Sequence, residues 1–591
     1  MSEILNNHFI DAVQNLNIEK FYHAEVTENP NQSPEEKIER ILKEYQSHPS
    51  VVMIKHHVKV KRTFKFSNTN EDEMFKRIYA LDPKKATNEN DIPKNILIGS
   101  NDIVCGYISD MFNDDMKKCN FPPVLKTADV NPSFKDDDRT SKKNYRPVSN
   151  LLVLSKLYGG IMKDQITEYM HDFLSPYLFA YTKGRGPQYC LLNMTEMWKK
   201  ALDERKVGGA ILTDLSKAFD CLSHDLLIAK LEAYGFEKSA LLFIYDYLKN
   251  RVQRTKVNGC YSSWLELLRG VPQGSILGPI LFNIFINDIF FFLDKTWLAN
   301  YADDNTTYGV EKDVMTLLKS LESDTYTVLN WFRFNEMKPN QDKCHLIVAD
   351  INHKNYDSKS FVYLEDAFLE SQDVVKLLGI LIDNDLTFED HIKLLLKKAN
   401  CKLHALMRVS KYMTQEKLRI LLKAFIESQF NYCPLIWMCH SRELNRKINK
   451  LHERALRLVY KDTNLTFEQL LEKDNAFTIH ERNLQKLAVE MYKVKNDLCP
   501  KTMKDIFVLK TAGKDDFVLP KVNSVNMGKE TIRYRGPKTW NIVPEDIKIS
   551  QSLAEFKMKI KKWKPTECDC RLCKTYIQGL GFGILKNGVF A

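Results

Sequence analysis

The sequence predicts an α+β fold. Between Gly208 and Ile382, strand-like and helix-like patterns mix without a regular βαβ repeat. Residues 391 to 510 read as helices, among them Gln415–Gln429 and Ser441–Tyr460. With 44% hydrophobic and 27% charged residues, the composition is that of a folded chain and excludes a wholly disordered or collagen-like one. At 591 residues the chain is long enough for several domains, which excludes a disulfide miniprotein or a single small binding module.

Taken in order, residues 1 to about 75 are polar, with helical periodicity near Glu36–Tyr45 and a β-like run over Val51–Val60; they read as an extension or a domain remnant. Glu71 to Ala180 alternates helices with short loops marked by Pro83, Pro93, Pro122 and Pro147. The apolar stretch Gly278–Leu293 is interrupted by Asn283, Asn287 and Asp288 and falls short of the roughly 20 residues of a membrane span, so it reads as a buried helix. After Ala512 the text turns loop-rich, with a last basic helix at Leu553–Lys564. The start has no basic region followed by an apolar core, which predicts a protein kept inside the cell, nucleus or cytoplasm, and not in a membrane. Thirteen cysteines without framework spacing predict reduced thiols.

Charge is unevenly placed. The net +10 is modest, but His391 to Lys461 holds 16 Lys and Arg against four acids, a local +12. Within it, Leu444, Ile448, Leu451, Ala455 and Leu458 recur at helical spacing, with Arg446, Lys447, Lys450, Arg454 and Arg457 on the other side. Such a segment suits a polyanion partner, usually nucleic acid; a solvated helical face reads the same way.

Two segments carry carboxylates. In Ala210–Asp220 an apolar strand runs up to Asp214 and breaks into a turn; Leu298–Tyr308 reads as a hairpin with Asp303 and Asp304 at its tip. An Asp-Asp pair in a turn is also ordinary turn chemistry. Three carboxylates brought together repel unless one protonates or a cation intervenes. Hard oxygen ligands suit Mg²⁺, with Mn²⁺ as a substitute, and two such ions can clamp an in-line phosphoryl displacement. No Gly-Lys-Ser/Thr phosphate loop, His-Glu-x-x-His or Gly-x-Ser-x-Gly occurs to suggest common hydrolase chemistry.

These segments stand in a longer ordered series: Leu81-Asp-Pro-Lys-Lys-Ala-Thr with Asp91-Ile-Pro, Lys126 to Lys135, Asn144-Tyr-Arg-Pro-Val-Ser149, Lys183-Gly-Arg185, Asp214 to Asp220, Gly270 to Pro279, Tyr301-Ala-Asp-Asp304, Asn330-Trp-Phe332 with Asn340 and Lys343, and Leu378 to Asp383. The series resembles the reverse transcriptases of non-LTR retrotransposons, most closely the jockey-like elements of animals. The resemblance implies a right-hand polymerase that copies an RNA template onto a DNA primer from deoxynucleoside triphosphates: an N-terminal extension over 1–105, fingers and palm over 106–383, a basic helical thumb over 384–510 and a C-terminal extension over 511–591. It further implies that Asp214, Asp303, Asp304 and the carbonyl of Leu215 hold two Mg²⁺, that Phe219 stacks under the sugar and excludes a 2′-hydroxyl, and that Lys135 and Arg146 hold the triphosphate. Gln273 and Gly274 match the loop beside the nucleotide, Lys343 the lysine that protonates the leaving diphosphate, with Lys338 nearby on the same segment, and Leu378-Gly379 the hairpin that grips the primer.

Some positions depart from the pattern. Nothing before Glu71 resembles the nuclease that usually precedes such a polymerase, which predicts the product of a partial element. Asn88 stands where a glycine is common, Ala180-Tyr-Thr replaces an aromatic-arginine pattern, and Asp136-Asp-Asp138 crowds Lys135. These favour a second reading, a relic that binds nucleic acid without synthesis; a third, an intron maturase or viral RNA polymerase, is opposed by Phe219 and by a tail without a His-Asn-His nuclease. Cys568-x-Cys-x-x-Cys573 offers three thiols, one short of a zinc shell. A distant His or Cys would complete it; otherwise these are inert thiols.

Overall fold

The computed structural model describes residues 1–14, 32–85, 88, 91–135, 137–351, 359–364, 367–510 and 516–573. Ala86 and Thr87 of the first sequence block and Asp136 of the acidic run lie outside the described residues. Helices and strands mix as the α+β reading requires. The strands are β1 Thr127–Phe134, β2 Tyr145–Leu151, β3 Val207–Ser216, β4 Arg251–Val257, β5 Cys260–Tyr261, β6 Leu265–Leu267, β7 Trp297–Tyr301, β8 Asp304–Glu311, β9 Lys338–Ala349, β10 Phe361–Leu364, β11 Ala367–Glu370, β12 Val374–Leu377 and β13 Ile380–Asp383. One sheet runs β2-β1-β4-β5 with β6 on β4, another runs β7-β8-β3-β9, and β10-β11 and β12-β13 are separate hairpins. No helix among the described residues is long and apolar enough to cross a membrane.

The chain divides into two compact units, the first comprising Met1–Tyr181, Thr213–Asp294 and Asp324–Asp342, the second Thr182–Leu212, Lys295–Ser323 and Lys343–Ala591. In the first, the amphipathic helix Ser2–Gln14 lays Leu5 and Phe9 against Val130 of β1. The run Val51–Val60, β-like in sequence, is instead helical over Pro49–His57. Pro49 fills the first helical position, the His48 ring accepts from the Ser50 N–H, and Val51 and Ile54, three apart, share the buried face; these outweigh β-branched propensity. A further difference is the β1–β2 pair, which falls where sequence predicts only helices and loops.

The apolar stretch after Gly278 is the buried helix Gly278–Ile286 followed by the 3₁₀ turn Asn287–Phe291. Its three polar residues are all partnered. Asn283 donates to the Ala180 carbonyl (3.0 Å), Asn287 donates to the Phe173 carbonyl (3.0 Å) and accepts from Ser175 N–H (2.8 Å), and Asp288 accepts from the buried Lys230 (2.6 Å) and from the Trp331 indole (2.7 Å). A buried ion pair of this kind costs desolvation that only good geometry repays, and here the Lys230 ammonium also donates to the Phe285 carbonyl (2.6 Å) and lies over its ring.

In the second unit the helix Pro187–Asp203 anchors distant chain. Its buried Glu196 accepts from the Ile532 and Arg533 N–H groups (3.0 Å each), capping the helix Ile532–Asn541, and Asp203 accepts from the Asn523 and Ser524 N–H groups. This carboxylate cap explains a helix where the sequence after Ala512 reads as loop, despite Gly536 and Pro537 inside it. The expected helices are present at Gln415–Phe425 and Arg442–Tyr460, the latter capped by Ser441. Along Arg442–Tyr460 the buried stripe is Leu444, Ile448, Leu451, Ala455, Leu456 and Val459, so Leu458 is only half-buried. Arg446, Lys447, Lys450 and Arg454 are exposed. The last basic helix spans Leu553–Ile560, four residues shorter than its sequence suggests.

Candidate active site

The sequence-predicted positions fall in both units: Lys135, Arg146, Asp214, Leu215, Phe219, Gln273 and Gly274 in the first, Asp303, Asp304 and Lys343 in the second. In the first unit, Asp214 and Leu215 lie in the last residues of β3, Asp214 half-buried and Leu215 buried. The strand ends at Ser216, and Lys217, in a left-handed conformation, turns the chain into the short helix Ala218–Cys221. That turn presents Phe219, whose ring stacks on Phe282 (4.5 Å between centroids, 18° between planes) and meets Tyr181 edge-on at 5.7 Å.

The block beginning at Gly270 packs on this turn. Gly270 N–H donates to the Leu222 carbonyl (2.8 Å) and Val271 N–H to that of Phe219 (3.1 Å). Gly270 has φ +75°, and a Cβ there would stand 2.7 Å from the Asp220 and Phe219 carbonyls, so only glycine fits. The Gln273 amide donates to both carboxylate oxygens of Asp220 (2.9 and 3.0 Å), while its own carbonyl accepts from Ser149 N–H (2.8 Å). Burial raises the Asp220 carboxyl above its ordinary range, against the opposing pull of Gln273 and Lys217. Gly274, at φ +116°, approaches so closely that a Cβ would lie 2.7 Å from the Ser149 carbonyl.

Ser149 is in β2, so the glycine loop ties the β1–β2 hairpin to the Phe219 turn. Lys135 follows β1, its N–H donating to the Asn144 carbonyl (2.9 Å), and Arg146 sits opposite Ser133; both side chains are exposed. Nearby, Asn88 donates to the Asn150 carbonyl (2.8 Å), a role a glycine would not fill. Asp91 accepts from Val153 N–H at the start of the helix Val153–Met170. Phe219, Gln273 and Gly274 are thus knit into one structure, with Lys135 and Arg146 on the hairpin it supports. Asp220 completes it, although sequence gave it no role.

In the second unit, β7 and β8 form a tight hairpin in which Tyr301 opposes Asp304, so Ala302 and Asp303 make a two-residue turn. Ala302 takes φ +59°, a conformation usually left to Gly. Two buried asparagines, Asn300 and Asn305, oppose each other just below. The Asn300 amide donates to the Ala302 carbonyl (2.9 Å) and to the Asn305 side-chain oxygen (2.9 Å), and the Asn305 amide donates to the Asp303 carbonyl (3.1 Å). Both carbonyls of the strained turn are therefore held. Asp303 is half-buried and Asp304 exposed.

Beneath the tip, the Cys190 thiol is raised by burial and then by the Asp304 charge, which marks Asp304 as its neighbour. The β12–β13 turn, Leu378-Gly379, has both residues at positive φ, the geometry of a tight hairpin. The Tyr432 hydroxyl donates to the Leu378 carbonyl (2.6 Å), and its ring would stand 3.5 Å from a Cβ on Gly379. Burial, and after it the neighbouring Cys433, Tyr301 and Cys190, push the Tyr432 phenol upward. Tyr432 so braces the Leu378 turn, a role sequence did not reveal. Lys343 lies exposed on β9, the same strand as Lys338.

Residues 134–382 match the family described as Reverse transcriptase (RNA-dependent DNA polymerase). In Drosophila melanogaster, a probable RNA-directed DNA polymerase from transposon BS is 26% identical over 373 residues, 60% of this chain and 40% of the relative. The RNA-directed DNA polymerase from mobile element jockey is 24% identical over 332 residues, 54% of this chain and 36% of the relative, and a probable RNA-directed DNA polymerase from transposon X-element is 23% identical over 370 residues. Residues 134–382 are a reverse transcriptase domain. These relatives, named for transposon BS, the jockey element and the X-element, are what the domain is similar to. The chain spans about two fifths of the length of these curated relatives.

Proposed function

We propose that the chain is an RNA-directed DNA polymerase, adding deoxynucleotides to the 3′-hydroxyl of a DNA primer on an RNA template. The observation that carries this reading is the β7–β8 hairpin, which presents two adjacent carboxylates on a strained, doubly held turn within a reverse transcriptase domain. The family resemblance of the Asp214–Asp220 segment adds Asp214 to that pair.

The donor set fits a hard divalent cation, being carboxylate oxygens on short, fixed elements. In this reading Asp214, Asp303 and Asp304, with the Leu215 carbonyl, hold two Mg²⁺. When bound, such ions activate the attacking hydroxyl and neutralise charge on the leaving diphosphate. The remaining work belongs to the protein's own side chains. Lys135 and Arg146 grip the triphosphate, where a guanidinium suits bidentate contact. Phe219, fixed against Phe282, lies under the sugar and occupies the space a 2′-hydroxyl would need. Gln273, oriented by Asp220, lines the nucleotide, and Lys343 donates a proton to the departing diphosphate.

Residues 106–383 then serve as fingers and palm and 384–510 as a thumb, whose exposed cations hold template and primer by their phosphates, reading shape rather than sequence. Leu378-Gly379, braced by Tyr432, grips the primer end. The test is deoxynucleotide incorporation on a primed RNA template with Mg²⁺, comparing the full chain with Asp303→Ala. Loss of at least roughly 10³-fold, about 4 kcal/mol of barrier, with primed-template binding unchanged, is expected for a lost metal ligand. Equal synthesis by both proteins would overturn the assignment.

A further inference from the structure

We propose that Cys568, Cys570, Cys573 and His480 form a zinc site that fastens the C-terminal segment to the helix Ile479–Lys495. The ligand atoms of His480, Cys570 and Cys573 all lie within 4.8 Å of one another. The His480 Nε2 is 3.1 Å from the Cys570 sulfur. Cys568, buried two residues before Cys570, stands beside this trio and is the ligand the shell would recruit to make four. The fourth ligand missing from the Cys-x-Cys-x-x-Cys text is thus a histidine 88 residues before its first cysteine.

Structural zinc takes four such ligands in a tetrahedron, with Zn–S about 2.3 Å and Zn–N about 2.0–2.1 Å, so its ligand atoms stand roughly 3.5–3.8 Å apart. The three clustered ligand atoms need to shift by roughly an ångström to meet that shell, with Cys568 swinging in beside them. Its surroundings suit the bound ion as well. The Cys573 N–H donates to the Cys570 sulfur (3.3 Å), as expected of a turn that folds around a thiolate. Three thiolates, one imidazole and Zn²⁺ carry a net −1, and the buried Arg535 guanidinium lies close enough to Cys570 to offset it. No carboxylate is part of the cluster, so the soft sulfur donors select zinc over the hard ion proposed at the aspartates.

Among the described residues, no strand pairing joins the two ends of the sequence that the shell spans. His480 sits in the first turn of its helix, a Thr478 capping box fixing that turn, and the cysteines end the described chain. Between them, the Gln485 amide donates to the Trp563 carbonyl (2.7 Å) and Arg571 donates to the His440 carbonyl (2.9 Å), so the segment reaches the site already aligned. A bound ion would therefore lock a prearranged contact.

The full chain, purified under reducing conditions from zinc-supplemented medium, is expected to carry one zinc ion by mass spectrometry of the metal and to take up Co²⁺ with thiolate charge-transfer and tetrahedral bands. Cys570→Ser and His480→Ala should lower zinc affinity by at least roughly 10-fold, and His480→Cys, which restores a fourth ligand, should retain the ion even if other variants fold poorly. Asp303→Ala should leave the zinc content unchanged. A well-folded wild-type chain that is metal-free and shows no Co²⁺ bands, or His480→Ala with undiminished zinc affinity, would overturn the site.

Discussion

Phe219 is held from two sides, flat against Phe282 and edge-on to Tyr181, on a turn whose carbonyl is bonded to Val271. In the proposed polymerase, a ring so fixed would discriminate by volume. Truncation to alanine removes the obstacle without disturbing Asp220 or Gln273, so Phe219→Ala should reduce the preference for deoxynucleotides over ribonucleotides by about 10²-fold, close to 2.7 kcal/mol. The ratio of incorporation rates on one primed template measures it, and unchanged sugar discrimination would refute the gate. At this scale sequence reveals residues whose chemistry announces itself, such as Asp303, Asp304 and the glycines of the 270 block. Asp220 and the asparagine pair were not legible, because their role is to hold another residue, and that appears only once Gln273 faces Asp220 and β7 faces β8.

The β7–β8 hairpin illustrates how an element stores what its tip needs. A non-glycine residue in the left-handed region costs about 1 kcal/mol or more, and Ala302 stays there because Asn300 and Asn305 bond the carbonyls on either side of the bend. Asn305→Ala would leave the buried Asn300 amide with one partner fewer and free the Asp303 carbonyl. It should cost roughly 1–3 kcal/mol of stability and lower kcat while leaving primed-template affinity intact. Thermal unfolding and single-turnover incorporation would check both, and an unchanged kcat would show that the turn holds itself. The hairpin was legible in sequence from two β-rich stretches about an acidic bend. The β1–β2 pair was not, since Pro132 and Pro147 argue against strands; in the structure they oppose each other. Lys135 bonding Asn144 makes alternate pairs the bonded ones, which puts the prolines at a non-bonded pair where no N–H is missed. Val51–Val60 failed the other way, its β-branched residues serving one face of a helix begun by Pro49.

The basic character of residues 391–461 was visible as charge alone, yet the structure sorts these charges into two kinds. Arg446 and Lys450 are exposed and open to phosphate, as is Arg454 beside its bond to Asn400, whereas Arg419 turns inward, and with Arg482 it surrounds the buried Glu427. Arg419 reaches Glu427 at 2.9 Å and also pairs with Asp474, and Arg482 reaches Glu427 at 2.6 Å. Burial alone would raise the Glu427 carboxyl, but His452, Arg482 and Arg419 outweigh it and hold the group well below its ordinary value of 4.5. A carboxylate depressed in the folded state contributes stability that is complete above its unfolded value and is lost as pH falls below it. The second unit should therefore lose stability below about pH 4.5, by up to 1.4 kcal/mol per pH unit from this group. Glu427→Gln should cost about 3 kcal/mol near neutral pH, by leaving two guanidinium groups without their shared anion, and should flatten the acid limb because the titrating group is gone. Unfolding temperatures of both proteins between roughly pH 3 and pH 7 decide it. Parallel curves, offset but equally steep, would mean that some other carboxylate governs the acid limb and that Glu427 is no more than a packing group.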